Sequence, residues 1–241
     1  MKSPFTVRDL GAGVSHAEAF AIQQAASEAL QAGAGPETVF LVEHAPVITL
    51  TAKLSARANL ITPPEELARL GVAVEETNRG GDITYHGPGQ LVAYPILDLN
   101  RHGLNLSSYM RLLEEVVIAT LAHFGVAGQR EAGATGVWTR GRGHSCPRME
   151  GMAPCRGQEC PRSLAKICAM GVRIRKGTTL HGLALNVTTD MSHFGLIVPC
   201  GLAGRPVTSL AQLLGDACPP MAQVKAQLIA ELGENLGKSK C

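Results

Sequence analysis

The sequence lacks the features that would place it in a membrane or outside the cell. None of its apolar runs reaches the roughly 18 residues that a membrane-spanning helix needs. Residues 1–10 contain no apolar stretch of the kind that a secretory signal carries. The net charge is only +2, too weak a bias to indicate a nucleic-acid groove. We therefore expect a cytoplasmic protein with neither a membrane nor a nucleic-acid partner.

The sequence also lacks an even set of cysteines and any visible internal repeat. Its seven cysteines are an odd number, which in a cytoplasmic protein indicates thiols rather than a disulfide framework. Hydrophobic residues make up 45% of the chain and charged residues 17%, so a sizeable core is available. A length of 241 residues suits one domain, or one domain with an insertion.

Helices and strands are both predicted along the chain. Apolar residues at helical spacing, with capping and dipole signals, predict helices, whereas short β-branched apolar runs predict strands. The predicted helices are 16–31, 63–70, 106–124 and 222–232. The predicted strands are 38–42, 47–51, 72–75, 91–97, 137–138, 167–174 and 183–187. Because strict βαβ alternation is absent, we expect an α+β fold with a mixed sheet.

The most informative segment is RGGDITYHGPGQ, residues 79–90. Its Gly pair permits unusual backbone angles and close approach of a ligand, and Pro88 fixes one turn. Arg79 contributes a permanent cation, and His86 a group that titrates near neutrality. An apolar strand follows at once. The pattern fits the wall of a binding site, and it also fits a simple hairpin turn.

The order of residues in this segment resembles the signature of the lipoyl(octanoyl) transferases, enzymes of the biotin/lipoate ligase fold group. Four further segments resemble motifs of the same family, in the same order along the chain. They are LVEHAPVIT at 41–49, AKICAMGVR at 165–173, TLHGLALNV at 179–187 and IVPCGL at 197–202. Together the five segments span most of the chain.

The resemblance implies a fold, a reaction and partners. The fold is a biotin/lipoate protein ligase-like catalytic domain, with a mixed sheet flanked by helices. The reaction is a two-step transfer of an octanoyl group from octanoyl-acyl carrier protein to a lysine of a lipoyl domain. The implied acceptors are lipoyl domains of 2-oxoacid dehydrogenase E2 subunits and the glycine cleavage H protein. A thioester is already activated, so neither ATP nor any cofactor or metal is implied.

The resemblance assigns the nucleophile to Cys200 and its partner to Lys166. Cys200 lies between Pro199 and Gly201, and the matching cysteine of the family forms the acyl-enzyme thioester. A thiol must become a thiolate to attack, and a nearby cation favours that form. Lys166 is the preferred cation over Lys176, which stands at the end of a basic strand. Cys168, beside the lysine, is interpreted as a core residue.

The same resemblance implies a set of substrate-binding residues. They are Arg79, Gly80, Gly81, Asp82, Ile83, Thr84, Tyr85, His86, Ala169, Met170, Gly171, Gly182, Leu183 and Ala184. His181 and Asn186 are possible supporting residues. His86 and His181 could each hold the acceptor lysine, support the catalytic lysine or line the acyl tunnel. Backbone N–H groups of Gly80, Gly81 or Gly201 could stabilise the oxyanion of each step.

The chain departs from the family mainly between Trp138 and Lys166. The family crosses here in a short turn, whereas this chain inserts a loop at about 139–163 that is rich in Gly, Arg and Pro. The insertion contains His144, Cys146, Cys155 and Cys160, which could bind zinc, although no CxxC pair is present. A basic loop that contacts the acidic acyl carrier protein is the alternative. Separately, Thr51 stands where the family often has glycine.

Besides a papain-like hydrolase, which would need a Cys–His pair and access of water to the acyl-enzyme, two other functions remain open at this stage. An ATP-dependent lipoate or biotin protein ligase of the same fold would also use a Gly-rich loop and a lysine. A non-catalytic carrier-protein-binding protein could keep the fold without the reaction. The HGPGQ and PCG segments favour the transferase over the first, and the presence of both Lys166 and Cys200 argues against the second.

Overall fold

The computed structural model describes residues 5–140, 164–198 and 205–238. Ten strands and six α-helices occupy these ranges. The strands are β1 (Thr6–Val14), β2 (Thr38–His44), β3 (Val47–Leu50), β4 (Ala73–Glu76), β5 (Thr84–His86), β6 (Gln90–Ile96), β7 (Gly128–Glu131), β8 (Ala134–Arg140), β9 (Leu164–Arg175) and β10 (Thr178–Asn186). The helices are α1 (His16–Gln31), α2 (Leu54–Ala58), α3 (Pro64–Arg69), α4 (Leu106–His123), α5 (Leu210–Leu214) and α6 (Met221–Lys238).

Seven strands form one mixed sheet in the order β1-β2-β6-β10-β9-β8-β7. Strands β1 and β2 are parallel, and every other neighbouring pair in this sheet is antiparallel. Side chains alternate between the two faces, as strand geometry requires. On β2, Val39 and Leu41 belong to one apolar cluster, while Phe40 and Val42 belong to another. The sheet is therefore buried on both sides.

Helices cover both faces of the sheet. Helix α1 packs against β10, β2 and β6, and its Ala19 and Leu30 join the cluster of Phe40. On the opposite face, α4 packs against α6 and joins the cluster of Val39. Helical spacing of apolar residues predicts a buried stripe along α4, and all seven residues of that stripe are buried. They are Tyr109, Leu112, Leu113, Val116, Val117, Thr120 and Leu121.

A second sheet, of three strands in the order β4-β3-β5, contains the Thr84–His86 part of the Gly-rich segment. It has its own core, in which Ile48 and Tyr85 pack with Leu67 of α3 and Phe194 of a short 3₁₀ segment, Met191–Leu196. Strand β5 pairs with β3, so Val47 lies opposite His86. This second core includes Tyr85 of β5, and β5 leads directly into β6 of the large sheet.

The predicted fold class, a mixed sheet flanked by helices, is confirmed. Helix α1 has the predicted bounds, with the Ser15 side chain accepting a hydrogen bond from the Glu18 N–H at 3.2 Å. Helix α4 ends one residue before the prediction. Strands β1, β5 and β7 and helices α2 and α5 were not predicted, and β8, β9, β10 and α6 are longer than expected.

Candidate active site

A cleft opens between the small sheet and the α1 face of the large sheet. Strand β5 and the loop before it form one wall, and strands β6, β9 and β10 form the floor. The first residue of α1 completes the lining. The lining residues are His16, Arg79, Gly81, Asp82, Ile83, Thr84, His86, Val92, Tyr94, Ala169, Met170, Gly171, His181, Gly182, Leu183 and Ala184.

Most of the residues predicted to bind substrate lie in this lining, and two do not. Tyr85 points the other way because neighbouring residues of a strand alternate sides. Its ring stacks on His193 at 4.9 Å and contacts Phe194 edge-on. Gly80 donates its N–H to the Val172 carbonyl at 3.0 Å, which takes this group out of the candidate oxyanion donors and leaves Gly81 and Gly201.

Two glycines that face each other across β9 and β10 open the floor of the cleft. Gly171 and Gly182 are register partners. A Cβ atom on Gly171 would lie 2.5 Å from the Gly80 carbonyl oxygen, and one on Gly182 would lie 2.1 Å from the Ala93 carbonyl oxygen. No side chain can occupy either position without moving backbone. With Ala169 and Ala184 beside them, the floor consists of small residues.

Two charged lining residues, Arg79 and Asp82, form hydrogen bonds with β3 and with the region of α2, respectively. Arg79 donates to the backbone carbonyl and the hydroxyl of Thr49, each at 2.9 Å, and to the Gly80 carbonyl at 3.0 Å. Asp82 accepts from Ser55 at 2.8 Å and Asn59 at 3.1 Å, both in or next to α2. Burial opposes the charge of Asp82, but these hydrogen bonds outweigh it and lower its pKa.

Four histidines and Tyr94 form an aromatic wall that sequence reasoning largely missed. His44 contacts the rings of His16 at 5.8 Å, His86 at 5.7 Å and Tyr94 at 5.9 Å. His44 Nε2 lies 2.7 Å from the Tyr94 hydroxyl, and its Nδ1 lies 2.9 Å from the Val14 carbonyl. His44 belongs to the LVEHAPVIT segment, so a sequence signal for it was present. The local sequence does not indicate which histidines lie close together in the folded protein.

Burial keeps three imidazoles of this wall, those of His44, His86 and His181, uncharged. Desolvation lowers the pKa of His44 from 6.5 to about 4 and that of His181 to about 3. Desolvation also lowers the pKa of His86 well below its ordinary value, and the charges of His44 and Arg79 lower it further. At neutral pH these three side chains are neutral hydrogen-bonding groups.

His181 adopts a backbone conformation that non-glycine residues rarely use, with φ of 59°. Three contacts hold it there. Its N–H donates to the Gln23 side chain at 2.9 Å, its Nε2 lies 2.8 Å from Asn78 Oδ1, and its ring stacks on Phe20 at 5.2 Å. Strained residues of this kind concentrate at functional sites. The structure thus places His181 in the lining with a fixed ring orientation.

Lys166 lines a second cavity that adjoins the cleft. The lining of this cavity also contains Thr84 and Ala169, which both belong to the cleft as well. Lys166 is only 7% exposed, and its Nζ lies 4.8 Å from the centre of the Trp138 ring. The guanidinium of Arg205 lies 5.2 Å from the same ring. The one tryptophan of the chain therefore contacts two cations, each within the range of a cation–π interaction.

A buried chain of hydrogen bonds joins the cleft to the Lys166 cavity. His86 Nδ1 lies 2.6 Å from Gln90 Oε1, and Gln90 Nε2 donates to Asn186 Oδ1 at 2.9 Å. Asn186 Nδ2 then donates to the Thr208 carbonyl at 3.0 Å, and the Thr208 N–H donates to the Lys166 carbonyl at 3.0 Å. Asn186, a predicted supporting residue, is a member of this hydrogen-bond chain. Gln90 was not singled out from the sequence.

Cys200 lies outside the described residues, but both flanks of its segment are described. Before it, the Val198 N–H donates to the Asn59 carbonyl at 2.8 Å. After it, the Pro206 carbonyl accepts from the Lys166 N–H at 2.9 Å, and Val207 lines the Lys166 cavity. Cys168, by contrast, is fully buried, and desolvation raises its pKa to about 12. Its interpretation as a core residue is confirmed.

Residues 141–163 of the predicted insertion, with His144, Cys146, Cys155 and Cys160, lie outside the described residues. Within the ranges that are described, no group of three or more His, Cys, Asp or Glu side chains is arranged to hold a metal. The helices of the same ranges are too short or too polar to cross a membrane.

Comparison with known proteins identifies the family. Residues 15–233 match the model of the lipoyl protein ligase A/B catalytic domain. The chain belongs to this family. Within it, the chain is 45% identical to an octanoyltransferase of Chloroflexus aurantiacus, over 95% of this chain and 92% of that one. It is 41% identical to an octanoyltransferase of Geobacter metallireducens, over 88% of this chain and 85% of that one.

Solved structures of the lipoyl protein ligase A/B family share the fold. A putative lipoate protein ligase from T. acidophilum with bound lipoic acid has a TM-score of 0.69 and 16% identity, covering 98% of this chain and 87% of that one. At that identity the likeness concerns the fold alone. The predicted membership of the lipoyl(octanoyl) transferase family, and the prediction that the protein is an acyltransferase, are confirmed by the curated relatives.

Proposed function

We propose that this protein transfers an octanoyl group from octanoyl-acyl carrier protein to a lysine of a lipoyl domain, through a thioester on Cys200. In the first step the Cys200 thiolate attacks the donor thioester, and the carrier's thiol leaves. In the second step the ε-amine of the acceptor lysine attacks the Cys200 thioester and forms an amide. Each step passes through a tetrahedral oxyanion, for which the Gly81 and Gly201 N–H groups are candidate donors.

The observation that carries this proposal is the position of Lys166. Lys166 is only 7% exposed, and it lies in a cavity that shares Thr84 and Ala169 with the cleft. A cation in that place supports a thiolate by charge and can carry the protons that both steps require. The Trp138 ring limits where the ammonium can lie.

The flanks of the Cys200 segment support the assignment of the nucleophile. The residues that follow it pair with Lys166 itself, through the Lys166 N–H to Pro206 and the Thr208 N–H to Lys166. Phe194 and Val207, one on each side of the segment, both line the Lys166 cavity. Both ends of the segment thus meet at the cavity that contains the proposed proton carrier.

The floor of small residues supports an acyl chain as the bound group. Ala169, Gly171, Gly182 and Ala184 present little side-chain volume, and Ile83 and Val92 add apolar walls. An apolar pocket of this kind separates neighbouring chain lengths by only about 1–3 kcal/mol per methylene. We therefore expect neighbouring acyl lengths to be accepted at reduced efficiency.

The proposed acceptors are lipoyl domains of 2-oxoacid dehydrogenase E2 subunits and the glycine cleavage H protein, and the proposed compartment is the cytoplasm. An ATP-dependent lipoate or biotin protein ligase remains the alternative reaction for this fold. The two differ in a simple requirement, because a ligase must activate a free acid with ATP whereas a thioester donor needs no activation.

The test is the intact mass of the purified protein after incubation with octanoyl-acyl carrier protein in the absence of ATP. We expect a gain of one octanoyl group that hydroxylamine removes and that a lipoyl domain discharges. Cys200→Ala should abolish the adduct. Cys168→Ala is the matched control, because a buried thiol with a raised pKa should not be acylated. An adduct that requires ATP and free octanoate, or one that survives in Cys200→Ala, would refute the proposal.

A further inference from the structure

The hydrogen-bond chain from the cleft to Thr208 determines which nitrogen of His86 carries the proton. A backbone carbonyl can only accept, so the Thr208 carbonyl fixes Asn186 Nδ2 as a donor and Asn186 Oδ1 as an acceptor. Gln90 Nε2 must therefore donate to Asn186 Oδ1, and it also donates to the Tyr85 carbonyl at 3.2 Å. Both bonds orient the Gln90 amide the same way.

This orientation leaves Gln90 Oε1 to face His86 Nδ1 at 2.6 Å. Since the oxygen can only accept, Nδ1 must carry the hydrogen. A neutral imidazole has one N–H, so Nε2 holds the lone pair. Within the described ranges, no group hydrogen-bonds to His86 Nε2. This nitrogen is also not fully buried, since it is absent from the set of fully buried polar atoms that lack a hydrogen bond. The acceptor nitrogen is thus open to the cleft that His86 lines.

The surroundings of His86 disfavour positive charge. Burial, the nearby Arg79 cation and the neighbouring rings of His44 and His16 all lower the pKa of His86. An alkyl ammonium brought to the same place meets the same desolvation and the same cation, so it too is driven towards its neutral form. Only the neutral form of an amine can attack a thioester. The surroundings of His86 therefore favour the reactive form of an incoming lysine.

We propose that His86 is a catalytic residue of the second half-reaction, in which its Nε2 accepts a hydrogen bond from the neutral amine of the acceptor lysine and directs the amine lone pair at the Cys200 thioester. The C–N bond forms first and gives the tetrahedral oxyanion, and the C–S bond breaks as that intermediate collapses. The proton that the amine loses passes to the departing Cys200 sulfur, with Lys166 as the carrier. Gln90 is a positioning residue, because it fixes the His86 tautomer. The inference rests on the proposed octanoyl transfer.

Two substitutions of His86 distinguish the roles of its two ring nitrogens. Asn places an amide N–H where His86 Nδ1 lies, which keeps the bond to Gln90 but offers no acceptor at the position of Nε2. Gln reaches the position of Nε2 and can present an oxygen there. We expect His86→Asn to slow transfer from preformed octanoyl-enzyme to a lipoyl domain about 10-fold, the equivalent of one lost hydrogen bond. His86→Gln should retain more of the rate, and in both variants transfer to the lipoyl domain should be slowed more than formation of the octanoyl-enzyme.

The half-reactions are measured separately by rapid-quench intact mass, first with octanoyl-acyl carrier protein alone and then with the lipoyl domain added. Equal losses in both half-reactions, or wild-type transfer by His86→Asn, would overturn the inference and leave the proposed function standing. A wild-type protein that forms no octanoyl-enzyme would overturn the proposed function and the inference with it.

A second measurement needs no activity. Long-range ¹H–¹⁵N spectra distinguish protonated from unprotonated ring nitrogens, and the His86 signals are assigned by their loss in His86→Gln. We expect a neutral ring with the hydrogen on Nδ1 at pH 7, and a mixture of tautomers in Gln90→Leu. A ring protonated on Nε2, or on both nitrogens, at pH 7 would overturn the inference.

Discussion

The two glycines in the floor of the cleft should tolerate a methyl group very differently. A Cβ on Gly182 would lie 2.1 Å from the Ala93 carbonyl oxygen and 2.8 Å from Pro95, both on the neighbouring central strand β6. A Cβ atom essentially never lies within 3.0 Å of a non-bonded heavy atom, so β10 and β6 must separate by about 0.9 Å at this point. Overpacking of this kind costs about 1–3 kcal/mol. For a chain of this size we expect Gly182→Ala to lower Tm by roughly 2–12 °C.

Gly171→Ala meets a different obstacle. Its Cβ would lie 2.5 Å from the Gly80 carbonyl oxygen, which belongs to a loop rather than to a central strand. The loop can move away at lower cost, so we expect a smaller fall in Tm. Activity should suffer more, because the displaced loop carries Arg79 and Gly81 of the cleft lining.

The assay is thermal unfolding together with steady-state octanoyl transfer for both variants. Gly195→Ala is the matched control, because a Cβ there has no neighbour within 4 Å and the backbone needs no positive φ. We expect the control to unfold within a degree or two of the wild type. A Gly182→Ala protein as stable as the control would refute the reasoning, since it would mean that the two strands do not meet as closely as described.

Three further predictions concern other buried groups. Trp138→Leu should lower kcat/KM for octanoyl transfer about 2- to 30-fold, the equivalent of losing a cation–π interaction of about 0.5–2 kcal/mol with Lys166. Trp138→Phe should have an intermediate kcat/KM, and equal activity of the Leu and Phe variants would contradict a role for the ring face. Because the folded-state pKa of His44 is lowered to about 4, the unfolded chain binds more protons, and stability should fall by up to about 3 kcal/mol as the pH drops from about 6.5 towards 4. His44→Gln should flatten this dependence in urea titrations, and an unchanged slope would contradict the assignment. Glu114 is buried on α4 and accepts from Arg111 at 2.7 Å and Arg130 at 3.1 Å, so Glu114→Leu should cost about 1–3 kcal/mol in urea unfolding, against no change for the exposed Glu18→Leu.

The elements that sequence reasoning predicted well are those with a strong local pattern. Helix α1 has an N-cap at Ser15, and α4 has an apolar stripe along its full length. Strand β1 was missed because it pairs at the edge of the sheet and is mostly exposed, so its sequence shows no apolar alternation. Gln23 of α1 was not singled out from the sequence. Gln23 is buried, because its side chain accepts the N–H of the strained His181.

The candidate site was predicted where it is continuous in sequence and missed where it depends on distant contacts. The segment from Arg79 to His86 and the small residues of β9 and β10 were named in advance, and most of them line the cleft. Gln90 was not, because nothing near it indicates that its side chain reaches Asn186, 96 residues later. From the sequence alone, a glutamine at the start of a strand is usually predicted to be exposed to solvent. Its role follows only from the pairing of β6 with β10.

The composition of the cleft wall also explains why imidazoles rather than carboxylates face the proposed amine. A carboxylate next to the acceptor lysine would form an ion pair with the ammonium form and so hold the amine in its unreactive state. The acidic residue of the lining, Asp82, already accepts hydrogen bonds from Ser55, Asn59 and the Ile83 N–H. The buried histidines can accept a hydrogen bond without stabilising a positive charge. If an aspartate replaced His86, we would expect lysine to bind as an ammonium and the second half-reaction to become the slow step, with a rate that rises with pH.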